Sequence, residues 1–151
     1  MRVIGVVTGA SATTPQRLAT LLCAAAGGVL LFAGLIVAPS LFDALPGDRA
    51  MAGRIAARVF QASYWFAGAV GILVIGACAA RRNTIFLPAL VLIGLAAFQL
   101  FVIAPTLVRH GEGWPFSFAA LHGIAAGVHV VMTIAAFILA WTLCEIRVKY
   151  Q

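Results

Sequence analysis

Ile36-Val37-Ala38-Pro39-Ser40-Leu41-Phe42 decides the fold, because its core, Val-Ala-Pro-Ser-Leu, returns as Ile103-Ala104-Pro105-Thr106-Leu107. Each copy sits where a long uncharged run ends. Proline has no backbone N–H and its ring collides with the preceding helical turn, so the same residue at two run ends is expected to act as one repeated stop signal. The chain is then two related helical hairpins, with any function near Pro39 and Pro105.

Outward from these copies lie four uncharged runs: Leu18–Val37, Val59–Ala80, Ile85–Ala104 and Phe116–Cys144. Each has about the 20 residues needed to cross a hydrocarbon core about 30 Å thick. With 64% hydrophobic and 9% charged residues and a mean hydropathy of +1.10, the composition excludes an ordinary soluble domain. Membrane strands are disfavoured, because lipid forbids an open sheet edge and these runs do not alternate polar with apolar. The expectation is an all-α, four-transmembrane-helix bundle in one domain, 1–151, with helices about 18–37, 49–80, 85–104 and 116–144.

The formal charge of +6 is read by location, since arginine beside a membrane sets topology more often than it binds nucleic acid. Arg2, Arg17, Arg81, Arg82, Arg147 and Lys149 against Glu145 give one side a net +5. Arg49, Arg54, Arg58 and Arg109 against Asp43, Asp48 and Glu112 give the other +1. Lys and Arg alone count six against four, so the positive-inside rule favours both termini in the cytoplasm, in a multi-pass protein of a bacterial inner membrane. Both prolines close helices running out of the cytoplasm, so the hairpins repeat in parallel about an axis along the membrane normal. Cleavage as a signal peptide is not expected. The first run continues to Val37 without a small-x-small site, and Leu22 ahead of Cys23 does not fit a lipoprotein signal.

The most polar part of the chain is the connection from Pro39 to about Arg58. Leu45-Pro46-Gly47 is a turn and Asp48 an N-cap for a helix starting at Arg49. A helix from Arg49 to Ala80 is about 48 Å long, so its first turns project into headgroups or water. Along it Arg54, Arg58, Gln61 and Trp65 recur at four, three and four residues, a polar stripe on one face. The arginines either snorkel to phosphates, pair with Asp43 and Asp48, or serve a ligand. Pro88 fits the first turn of the third helix, and Gln99, at a depth similar to Gln61, needs a partner such as that amide.

In the fourth helix, His122 and His129 share a face about 10 Å apart, too far for one metal ion. Gly123 and Gly127 form a small-xxx-small pair suited to close helix contact. His122 is a candidate ligand residue and His129 a packing residue, while His110 and Trp114 fall in the second polar connection, the tryptophan as an interfacial anchor. The first three helices carry no histidine, which disfavours a bis-histidine haem within one chain. Cys23, Cys78 and Cys144 approach a common depth, but no Cys-x-x-Cys spacing supports a copper site, and the metal remains unassigned. No nucleophile with its base, phosphate loop or intramembrane carboxylate pair is present in the runs, so proton pumping and hydrolysis have no visible machinery.

Ala38-Pro39-Ser40-Leu41-Phe42, Ala52-Gly53-Arg54-Ile55-Ala56, Phe118 with Leu121-His122-Gly123, and Glu145-Ile146-Arg147 resemble, in that order, the small bacterial family labelled domain of unknown function 4149. That family is similar to eukaryotic transmembrane protein 205. The resemblance implies a four-helix integral membrane protein of unsettled biochemistry. Where its fourth helix tends to carry serines and an asparagine, this chain has Ala125, Ala126 and His129, so the carry-over of a polar site stops at His122.

Two functions compete. One is a non-enzymatic accessory or binding module, whose partners are the lipid bilayer, itself or a larger membrane complex, and not nucleic acid. The other is a small transport or redox component binding a metal, haem or small molecule, with Arg54, Arg58, Gln61, Gln99 and His122 around a periplasm-facing polar pocket.

Overall fold

A computed structural model describes residues 14–78, 82–108 and 117–149, which form four long helices and no strand. The first, α1, runs Thr14–Phe32, widens into a π-helical turn at Ala33–Val37 and resumes as Ala38–Ala44. The second, α2, is Arg49–Cys78. The third, α3, runs Arg82–Phe98, widens at Gln99–Ile103 and resumes as Ala104–Val108. The fourth, α4, is Phe118–Lys149.

Neither proline stops its helix. A proline ring collides with the carbonyl four residues back, here Leu35 or Phe101. Both helices absorb it in the same way: Ala38 N–H bonds the Ala33 carbonyl and Ala104 N–H bonds the Gln99 carbonyl, each five residues back rather than four. The wider turn lets the helix pass through Pro39 and continue to Ala44, instead of ending at Val37. At Leu45 the backbone leaves helical space, with φ −124° and ψ 59°. As expected, Asp48 caps α2, its Oδ1 accepting from Met51 N–H at 2.8 Å.

The helices pack in a ring in chain order, with α4 closing against α1. The short link between α1 and α2 makes them antiparallel neighbours, and α4 runs antiparallel to α1, its Leu143 carbonyl accepting from Gln16 Nε2 at 3.4 Å. Between them lies a core of Cys23, Ala26 and Leu30, Ala67, Val70 and Val74, Ala89 and Leu92, and Met132, Leu139 and Leu143. Small residues let the backbones approach: a Cβ at Gly71 would lie 2.7 Å from Ile93 Cγ1, and at Gly27 3.0 Å from the Phe137 ring.

The outside is as apolar as the inside. Only 28% to 39% of each apolar window is buried within the chain, and Leu21, Leu35, Ile72, Leu87 and Trp141 face outward. Water would penalise such a surface and hydrocarbon would not. Serine and threonine hydroxyls are satisfied within their own helices: Ser63, Thr106, Thr133 and Thr142 each donate to the carbonyl four residues back. Four helices long and apolar enough to cross a bilayer make this a small multi-pass integral membrane protein.

Candidate functional site: a polar layer at the two wide turns

Two of the bundle's buried polar side chains, His129 and Gln99, meet in one layer, while Gln16 bonds the Leu143 carbonyl toward the other end. In α4, His129 is 9% exposed and its Nε2 donates to the Leu30 carbonyl of α1 at 2.9 Å. That carbonyl lies just ahead of the wide turn at Ala33–Val37. Gly34, on the next helical turn, makes the approach possible, since a Cβ there would stand 3.0 Å from His129 Nε2. The imidazole also meets two aromatic rings of α2 edge to face, Phe60 at 5.1 Å and Tyr64 at 5.7 Å between centroids. His129 thus bridges the ring's diagonal from α4 to α2.

The second wide turn is held by the same stretch of α4. Gln99 opens the π segment of α3, is 1% exposed, and donates from Nε2 to the Ala125 carbonyl at 2.6 Å. Ala125 and His129 are four residues apart, on one face of α4. One helical turn of α4 therefore fastens to both proline-linked wide turns, through one bond to each neighbour. Such interhelical bonds are worth about 1 kcal/mol each in a bilayer.

One atom in this layer is left over. With Nε2 carrying the proton for Leu30, Nδ1 is a bare acceptor, buried and without a partner among the described residues. An unmet buried acceptor costs about 1–3 kcal/mol.

The other candidates lie on outer faces. Arg54, Arg58 and Gln61 of α2 and His122 of α4 are all exposed. Since α2 and α4 are diagonal in the ring, the arginine stripe and His122 occupy opposite corners, and the structure does not bring them round one pocket with Gln99. Gln61 points outward and does not meet Gln99, whose partner is a backbone carbonyl. Arg54 Nη2 reaches Met51 Sδ at 3.9 Å, and no described carboxylate pairs with Arg54 or Arg58. Asp48 is occupied as a cap, and Asp43 lines a shallow depression with Phe42, Pro46 and Arg49. Gly123 and Gly127 also face outward, with nothing within 4 Å of an added Cβ, so the close contact expected of them is not made among the described residues.

Cys23 is buried in the core and Cys144 is exposed. Among the described residues no three of His, Cys, Asp and Glu gather at metal-holding distance. Arg109, His110, Glu112 and Trp114, and the side chain of Cys78, fall outside the described residues.

The profile of a family described as domain of unknown function (DUF4149) matches residues 21–113, more than half of the chain, from within α1 to beyond α3. No curated protein and no solved structure matches. The matched span contains Gln99, the arginine stripe and both prolines, while His122 and His129 lie after it.

Proposed function

The chain belongs to the domain of unknown function (DUF4149) family, and from that premise we propose that it is a non-enzymatic accessory or binding module of the bacterial inner membrane. One observation carries the proposal: the polar groups divide by face. Those pointing inward, Gln16, Gln99 and His129, are bound to carbonyls of neighbouring helices and hold the bundle together. Those pointing outward, Arg54, Arg58, Gln61 and His122, stand where lipid or a membrane partner arrives. A module of this design binds at its perimeter, to the bilayer, to another copy or to a larger complex. Its termini are assigned to the cytoplasm by six Lys and Arg on their side against four on the other. The matching order of wide turn and proline in α1 and α3 supports a parallel repeat of two hairpins.

A second reading, a transport or redox component holding a metal, haem or small molecule, draws its support from the orphaned Nδ1 of His129, an acceptor suited to a donor or a Lewis acid. An absorption spectrum and elemental analysis of detergent-purified protein separate the two. The binding module is expected to be colourless and to carry no stoichiometric transition metal. A Soret band, or about one copper per chain, overturns it in favour of the second reading.

A further inference from the structure

We propose that the outer face of α2 is a binding site for one anionic phospholipid. The inference rests on the perimeter-binding reading and names its ligand. The face is ordered along its length. Arg54, Arg58, Gln61 and Trp65 are followed at the same helical spacing by Ala69, Ile72 and Gly76, all exposed. From Arg54, the second arginine lies about 6 Å down the axis, the amide about 10 Å and the indole about 16 Å. Cation, hydrogen-bond donor, aromatic ring and bare hydrocarbon surface thus succeed one another as phosphate, glycerol ester, interfacial belt and acyl chain do in one leaflet.

The aromatic pair fixes the depth of this series. Trp65 meets Phe101 of α3 edge to face, centroids 5.8 Å apart and planes at 88°, and both rings are more than half exposed. Helices α2 and α3 are antiparallel, so Arg58, seven residues before Trp65, stands level with Val108, the last described residue of α3 and seven residues after Phe101. The arginines therefore stand level with the last described turn of the neighbouring helix. The aromatic pair lies about two turns deeper, across the α2–α3 seam.

Charge decides the class of lipid. No described carboxylate neutralises Arg54 or Arg58, so the two guanidinium groups exceed the charge of a single phosphate diester. A zwitterionic headgroup adds its own cation beside them, whereas an anionic one does not. A second copy of the chain, docking this face on itself, would set arginine against arginine. The phosphate is held between Arg54 and Arg58, the Gln61 amide donates to an ester carbonyl, and the first acyl carbons lie along Trp65 and Phe101.

The test uses the full chain with Trp114→Phe and Trp141→Phe, leaving Trp65 as the reporter. It is placed in nanodiscs containing either brominated phosphatidylglycerol or brominated phosphatidylcholine. Phosphatidylglycerol is expected to quench Trp65 at the lower mole fraction, with a preference of about fivefold per arginine. Arg54→Gln with Arg58→Gln is expected to bring the preference close to one, while phosphatidylcholine still quenches Trp65, which shows that the bundle remains inserted. Arg54→Lys with Arg58→Lys is expected to keep most of it. Equal quenching by the two lipids in the arginine-bearing chain overturns the proposal. So does a preference that the glutamine pair leaves intact, displacement by excess inorganic phosphate, or self-association in phosphatidylcholine that shields Trp65. A lost lipid preference in a colourless, metal-free protein defeats the lipid site alone, whereas a bound chromophore defeats the perimeter-binding reading whatever the lipids do.

Discussion

His129→Ala is expected to lower the unfolding free energy by about 3 kcal/mol, the largest loss among the polar side chains of the bundle. The imidazole fills the space between Phe60 and Tyr64, and its Nε2 is bound to the Leu30 carbonyl. Truncation empties a space that α4, α1 and α2 enclose together, and none of the three closes in without disturbing the others. His129→Leu separates volume from polarity. It fills most of the cavity and removes the buried, unpartnered Nδ1, so its loss is expected to stay below about 1 kcal/mol. Reversible unfolding in mixed micelles reads both variants. A leucine variant as unstable as the alanine one would show that the bond to Leu30 outweighs the packing.

The second large effect belongs to Gly71. A Cβ there already stands 2.7 Å from Ile93 Cγ1 and 3.3 Å from the Ala89 carbonyl oxygen, and the carbonyl belongs to the backbone of α3 and cannot rotate away. Gly71→Leu must therefore push α2 and α3 apart. No water is released in hydrocarbon to compensate the lost contact, so a loss of about 3 kcal/mol or more is expected. Gly76 on the same helix has nothing within 4 Å of an added Cβ, so Gly76→Ala is expected to change stability by less than about 1 kcal/mol, in the stabilising direction if at all. The same micelle unfolding assay, run on both variants, checks the contrast. Equal losses at the two positions would mean that Gly71 is not at a helix contact.

What the sequence made legible was whatever length and period encode. Four uncharged runs of spanning length became four helices, Asp48 before Arg49 became a cap, and the four-three-four spacing from Arg54 to Trp65 became one exposed face. The wide turns were not legible, because a bond to the fifth residue back instead of the fourth has no signature in composition, and a proline after a long helical run reads as a stop. The polar layer was hidden for a related reason. Gln99 and His129 find backbone carbonyls, of Ala125 and Leu30, and a carbonyl is present at every position of every helix. The nearest available signal was Gly34, whose missing Cβ admits the imidazole. Gly123 and Gly127 show the converse: their spacing marks a smooth face, but not whether that face turns inward or outward.

The division of polar groups between a fastened interior and an exposed perimeter is tested most directly by spin labels at positions 58, 61 and 122, one at a time, in a background without cysteine. Oxygen dissolved in the bilayer relaxes a label that faces lipid and spares one enclosed between helices. Mobile spectra at all three positions are the predicted result, with strong relaxation by oxygen at 61 and by oxygen or a water-soluble nickel chelate at 58 and 122, which lie nearer the headgroups. Immobile labels protected from both reagents would contradict the account, because Arg58, Gln61 and His122 would then line an interior pocket.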